Sequence, residues 1–377
     1  MTFARSGPAF RAALAVTAAA VLATAGCARF DDASASPFSP APTFSGSDLH
    51  PRTPSSPPTT TKPKRPPGPC VDPDPAVVAT CLDATGALVV LPDGNSALVA
   101  ERRTGRILRV EPERDPVEIA HIDVDGSTDG GLTGLALSPT YDEDNLLYAY
   151  VTTATDNRVV RIAPGDVPKD VLAGIPKGQS DNAGSIVFTD DNNMLVLTGD
   201  AGNPAAANDP GSLAGKLLRL SKPDVVGDRP PPQVVLTGIG GAGAVCLGPG
   251  GATWVTDRLP AEDRLQKINK DGSVVSPAWS WPDRPGVDGC AATQDAVAVA
   301  LTVGKAVAAV AIDGQTGTVT AAPSLVAQDR YGQLGSAAAG PDGALWVSTV
   351  NKSGGNPGPN DDRVVKIQMP GGGGGHD

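Results

Sequence analysis

Between residue 88 and the C-terminal tail, one pair of signatures recurs six times. The first signature is a Pro/Asp/Gly-type turn leading into a short apolar strand. The second is a strand opened by Arg, Lys or Asp-Arg and closed by Arg or Lys plus an aliphatic. The pairs are LPDG with LVA then GRILRV (91–110), SP with LYAY then NRVVRI (138–162), and SIVF, MLVLTGD then GKLLRL (185–220). They continue with GPGG, TWVT then DRLQKI (248–268), a blurred pair within 295–312, and GPDG, LWVS then DRVVKI (340–367). Apolar runs of this length bounded by Gly, Pro, Asn and Asp are short strands. The turns near residues 92, 139, 190, 249, 294 and 341 are spaced 47, 51, 59, 45 and 47 apart. That period fits one four-stranded blade per unit, with loops inserted in the longer ones. A lone blade cannot bury both faces, but a ring of stacked blades can. The sequence therefore predicts an all-β, six-bladed β-propeller over 70–370. Two stacked β-sandwiches would explain the strands but not the matched signatures.

Everything before residue 70 reads differently. Arg5 and Arg11 precede an apolar run, Ala12 to Ala23, too short to span a bilayer, and small residues then lead to Cys27. This predicts a signal peptide over 1–26. The end Thr24-Ala25-Gly26-Cys27 resembles a bacterial lipobox, with Thr24 where Leu is usual, so Cys27 is expected to carry diacylglycerol and palmitate. Residues 28–69 hold 11 Pro and 12 Ser or Thr. Such a composition cannot bury a core, so 27–69 is expected to be a disordered, polyproline-like stalk. Residues 371–377 form a Gly-rich tail. The expected location is the extracytoplasmic face of the cell membrane, lipid-anchored.

Five Cys are present. With Cys27 lipidated, Cys70, Cys81, Cys246 and Cys290 remain for two disulfides outside the cytosol. Neighbour pairing, Cys70–Cys81 and Cys246–Cys290, is the simplest of three connectivities. The net charge of −11, with no basic stripe outside the stalk, argues against nucleic acid. With His only at 50, 121 and 376, there is little material for a His-rich zinc site or a Ser-His-Asp triad.

A propeller uses loops at one mouth of its central channel. The candidate loops are 123–134, 178–184, 200–212, 257–263 and 351–362, all rich in Asp, Asn and Gly. They supply the ligand-face candidates Asn182, Asp200, Asp257, Arg258 and Asn351. Asp123, Asp125 and Asp129 have the look of a calcium loop, although turn chemistry accounts for them more simply. Arg158, Arg161, Lys216, Arg219, Arg264 and Lys267 read as outer-strand surface residues. Trp254 and Trp346 read as packing between blades, whereas Trp279 and Trp281, placed in a loop, are the better candidates for carbohydrate contact.

The residues also carry a family resemblance. GGLTGLALSP (130–139), with LYAY (147–150) and NRVVR (157–161), resembles the second blade of the soluble glucose/sorbosone dehydrogenases. DNAGSIVF (181–188), LTGD (197–200) and LAGKLLR (213–219) resemble the same family. The similarity runs from Leu88 to Ile367. It implies a six-bladed propeller that oxidises sugars with pyrroloquinoline quinone (PQQ) and calcium.

The motif positions depart from the family in detail. Where the family places a His-Asn-Gly-Gly-Arg run, this chain has Asp181-Asn182-Ala183-Gly184-Ser185. The resemblance thus puts Asp181 at the catalytic base position. A carboxylate titrating near its ordinary value of about 3.9 is a poor base at neutral pH unless burial raises it. The family's cofactor-clamping Arg-Asn-x-Gln-Gly strand corresponds to IGGAGA (239–244), and its last Arg falls within GSAAA (335–339). Glu262 and Asp263 stand where a calcium-binding acidic segment would be. These departures imply a monomeric envelope lipoprotein whose propeller is a binding or scaffold module, with PQQ chemistry lost and a carbohydrate or envelope protein as partner. The alternative is a PQQ- and calcium-dependent sugar dehydrogenase with a modified active site. A third reading, metal-dependent hydrolysis as in lactonase-type propellers, needs carboxylates that converge.

Overall fold

A computed structural model describes residues 68–189, 192–223 and 230–369. The signal segment, Cys27, the stalk up to residue 67, the Asp190-Asp191 turn and the Gly-rich tail lie outside the described residues. Among the described residues no helix is long and apolar enough to cross a membrane.

The propeller consists of six four-stranded antiparallel sheets. The six sequence units are its six blades. From the axis outward, blade 1 is Thr85–Val90, Ala97–Glu101, Arg106–Val110 and Val117–His121. The innermost strands of blades 2 to 6 are Leu132–Leu137, Gly184–Phe188, Gly241–Leu247, Val287–Ala292 and Leu334–Ala339.

Burial follows position in the blade. Second strands such as Leu147–Thr152, Met194–Thr198 and Leu345–Thr349 are buried at every residue, because a neighbouring blade covers each face. This is why they read as unbroken apolar runs rather than alternating ones. Outermost strands such as Val117–His121 stay largely exposed. The turns read from the sequence have the expected chemistry. Asp93 Oδ1 accepts from the amides of Asn95 and Ser96, while Gly94 takes a φ of 65°. The longest repeat spacing reflects an insertion between the second and third strands of blade 3, holding the short helix Pro204–Asn208.

The innermost strands approach each other very closely. A Cβ on Gly289 would lie 2.3 Å from Ala337 N, and one on Gly86 would lie 1.9 Å from Leu132 O. Glycine is therefore required where backbone meets backbone around the axis. The ring closes through Val77–Ala79, which pairs with Val364–Ile367 as the outermost strand of blade 6. Cys70–Cys81 brackets that strand, and Cys246–Cys290 joins the innermost strands of blades 4 and 5. Neighbour pairing is thus the connectivity. Asp72 pairs with Arg363, and Asp74 with Arg330 and the Tyr331 hydroxyl, fastening the closing segment to blade 6.

Two placements read from the sequence are corrected. Lys216 and Lys267 are buried, not surface residues. Lys216 Nζ donates to the carbonyls of Ala206, Ala207 and Ala214, holding the blade 3 insertion. Lys267 lies over the Trp254 ring at 5.8 Å, as Lys366 lies over Trp346 at 5.1 Å, so third-strand cations cover second-strand indoles. Trp279 and Trp281 belong to the outermost strand of blade 4, not to a loop. Their rings meet edge to face at 6.4 Å, and Trp281 is buried.

Gly289→Ala should cost about 1–3 kcal/mol through overpacking at the axis. Urea denaturation followed by far-ultraviolet circular dichroism would measure it. An unchanged midpoint would show that the contact relaxes freely.

Candidate active site in the central channel

The innermost strands enclose an axial cavity of about 890 Å³. Its wall changes character along the axis. The ends where these strands begin present Arg102, Thr128, Asp129, Thr133, Ser185, Arg258, Asp288 and Gln333. The ends where they finish present Val89, Leu137, Phe188, Leu247 and Ala292. Of the candidate segments, 123–134, 178–184, 257–263 and 351–362 contribute lining residues, whereas 200–212 contributes none.

Asp181 stands beside the polar mouth rather than among the residues lining the cavity. Its φ is 56°, its amide donates to Asp129 Oδ2 at 2.5 Å, and its own Oδ2 accepts from the Ser180 hydroxyl at 2.8 Å. The fully buried Asn182 is a structural node. Its Nδ2 donates to Asp129 Oδ1 and Gly178 O, and its Oδ1 accepts from Gly178 N and Asn157 Nδ2.

Arg258 does face the cavity, and its origin answers part of the sequence puzzle. It pairs in register with Gly241, inside the segment that lost the clamp side chains. A Cβ at Gly241 would fall 2.7 Å from Asp181 Oδ1 and 3.4 Å from Arg258 Nε. The missing side chain at 241 therefore leaves room for the guanidinium of the adjacent strand. Arg258 is pinned by Nη1 to Val287 O at 2.8 Å and by Nη2 to Ala242 O at 3.0 Å. A second guanidinium, Arg102, donates through Nη1 to Thr128 O and Gly130 O and has no carboxylate in ion-pair contact among the described residues. The family's clamp positions carry no Arg here, yet Arg102 and the candidate Arg258 place two cations on this face. Arg102 escaped the sequence reading because nothing in its Glu-Arg-Arg-Thr context distinguishes it from a hairpin arginine.

Asp288 also escaped it. It is on the innermost strand of blade 5, its side chain 34% exposed to the channel, with Arg258 Nη1 at 3.7 Å. Burial pushes its carboxyl up to about 6 against the pull of Arg258. The available signal was an Asp in a strand whose counterparts at the axis are Gly, Ala, Ser or Thr.

The other candidates serve the scaffold. Asp257, fully buried, takes two hydrogen bonds from Arg264 at 2.9 and 2.7 Å and one from Gly240 N. Burial raises its carboxyl despite Arg264. Asp200 is buried, accepts from Gly202 N, and is likewise raised by burial and by the nearby Asp181. Asn351 bridges Gln333 N and Tyr331 O. Asp263 accepts from Gly286 N and Val287 N, and Glu262 from the Ser280 hydroxyl. Asp125 pairs with Lys177 at 2.5 Å. Among the described residues no three His, Cys, Asp or Glu are grouped to hold a metal ion.

The site is thus an axial cavity, polar at one mouth, lined there by two guanidiniums and by a carboxylate that accepts no hydrogen bond among the described residues. Residues 82–233 match the Glucose / Sorbosone dehydrogenase family. The chain is 28% identical over 149 residues to quinoprotein glucose dehydrogenase B of Acinetobacter calcoaceticus, a match covering 34% of this chain and 31% of that protein. It thus spans about a third of that relative's length. Among solved structures, the PQQ-bound aldose sugar dehydrogenase of Streptomyces coelicolor is 29% identical with a TM-score of 0.68, over 77% of this chain and 95% of that one. A glucose dehydrogenase-type oxidoreductase of Thermus thermophilus gives the same identity and TM-score, over 77% and 98%. The propeller thus resembles the glucose/sorbosone dehydrogenases, in sequence over residues 82–233 and in fold over most of its length.

Two outcomes follow from this division of labour. Asp257→Asn should lower stability by about 3 kcal/mol, since Arg264 loses its buried partner, and chemical denaturation reads this directly. Asp288→Asn should act oppositely. Its carboxyl is raised in the folded state, so ionisation costs stability as pH rises from the unfolded value through about 6. The variant should therefore melt above the wild type at pH ~8, with the gap closing toward pH ~4. A constant gap would contradict this.

Proposed function

We propose that the axial cavity holds a PQQ-type cofactor and that the protein is a sugar dehydrogenase with a modified active site. The observation carrying this reading is Arg258, which reaches the cavity over Gly241, where the family's clamp residues are missing. PQQ bears three carboxylates and needs cations nearby. Arg102 and Arg258 would serve them, with the hydroxyls of Thr128, Thr133 and Ser185 available as donors on the same wall. A cavity of about 890 Å³ leaves space for a sugar beside such a group. When bound, PQQ supplies the two-electron acceptor, and the chain's residues bind, orient and move the proton. No calcium ligand set is assigned, since Glu262 and Asp263 already accept internal hydrogen bonds.

The second reading, a binding or scaffold propeller with the chemistry lost, is favoured by Asp181-Asn182-Ala183-Gly184-Ser185, which has neither the His nor the Arg of the family motif. One experiment separates the two. Calorimetric titration with PQQ, with and without calcium, should show micromolar or tighter binding, weakened ~10-fold or more in Arg102→Ala and Arg258→Ala. Dye-linked oxidation of aldoses should then follow. Absence of binding by the folded protein leaves the scaffold reading.

The lipobox-like run before Cys27 and the Pro-rich stalk support display of this propeller at the outer face of the cell membrane. Cys27→Ser should move the protein from the detergent-extracted fraction into the medium.

A further inference from the structure

We propose that Asp288, rather than Asp181, takes the substrate's hydroxyl proton in the central cavity; this rests on the dehydrogenase reading above. Two carboxylates, Asp129 and Asp288, line the cavity among the described residues. Asp129 is saturated, accepting from the amides of Asp181 and Asn182 and from Asn182 Nδ2. Asp181 lies outside the lining, with Ser180 on its carboxylate. Among the described residues the Asp288 carboxylate accepts no hydrogen bond, and its one charged neighbour is Arg258 at 3.7 Å. Opposite it, on blade 6, is Gly335, where a Cβ would be 3.7 Å from Asp288 Oδ2. That Cβ position is itself covered by Val350, whose Cγ1 would be 2.5 Å away, so a ligand hydroxyl reaches the carboxylate from the channel that Asp288 lines.

The backbone that carries this carboxylate is also held in place. The Thr256 hydroxyl donates to Asp288 O, and Val287 is gripped on both sides, its amide by Asp263 and its carbonyl by Arg258. Arg258 is tied to two backbone carbonyls and so does not close on Asp288. The remaining nearby polar groups of blade 6, Gln333 and Ser336, carry no charge. The raised proton affinity of Asp288 agrees with these surroundings, and a base titrating nearer neutrality is the more effective one.

The step balances simply. The substrate's O–H bond breaks and an O–H bond forms on the Asp288 carboxylate. The hydrogen on the same carbon leaves with its electron pair to the quinone-class oxidant, and the carbinol becomes a carbonyl. The proton then passes to water through the open mouth.

The test uses the full-length protein with PQQ, comparing Asp288→Asn, Asp288→Glu and Asp181→Asn. Asp288→Asn should lose ~100-fold or more in kcat, together with the acid limb of the rate near pH 6, while PQQ affinity by titration stays equal or tightens. Asp288→Glu should restore part of the rate, and Asp181→Asn should keep kcat within ~3-fold. In the cofactor-free protein, the Asp288 carboxyl followed by carbon-13 NMR should titrate near 6 and shift on addition of sugar. Retained kcat and acid limb in Asp288→Asn, or their loss in Asp181→Asn, overturns the assignment while leaving the dehydrogenase reading intact. A wild type that neither binds PQQ nor oxidises sugar overturns both.

Discussion

The close approach of the six innermost strands around one axis is the constraint on which the rest of the molecule depends. Where Gly86 meets the Leu132 carbonyl and Gly289 meets the Ala337 amide, there is no room for any side chain. Bringing backbones this close draws the second strands of adjacent blades together, and their side chains then fill the wedge between sheets. The continuous burial of Leu147–Thr152 or Leu345–Thr349 is a consequence of that geometry. The same small residues leave the axis hollow. Core packing and axial cavity are thus two results of one arrangement, and the pocket depends on the scaffold rather than on any one lining side chain.

Charge is allocated by distance from that axis. Buried carboxylates away from the axis serve architecture: Asp257 engages Arg264 and Asp263 the turn before blade 5, while the exposed Asp129 holds the buried Asn182. The desolvation of the buried ones is offset by the hydrogen bonds they accept. At the axis the allocation is looser. Among the described residues Arg102 has no carboxylate in contact, and Asp288 has an arginine held short of full contact. Groups whose bonding is incomplete within the protein are the ones free to engage a ligand.

Much of the fold was legible in the chain. The six signature pairs mark second and third strands, the Pro-Asp-Gly turns mark the joint between first and second, and the spacing of 59 marks the blade 3 insertion. Cysteine order gave the pairing that the strands make natural. The site was less legible. Asp257 and Asn351 resemble ligand residues because loop Asp and Asn serve turns, buried pairs and ligands alike. Lys216 and Lys267 resemble surface cations because a strand pattern does not tell which flank a neighbour covers. Arg258 was visible as a residue but not as a substitute, since its relation to Gly241 exists only in the register between strands. Asp288 was hidden in the innermost strand of the fifth blade, where the repeat is blurred.

The closing strand of the ring has a mechanical consequence. Val77–Ala79 is three residues long and holds blade 6 shut by main-chain pairing. It is also the first strand the chain enters, so tension on the preceding segment would peel it from Val364–Ile367. The Cys70–Cys81 bond reroutes that load. Force arriving at residue 70 passes covalently to residue 81, and the closing strand sits inside a slack loop. The strain is delivered instead to the paired amides and carbonyls of Leu82 and Asp362, at the root of blade 1. The short closing seam of the ring is thereby removed from the force path of any tether.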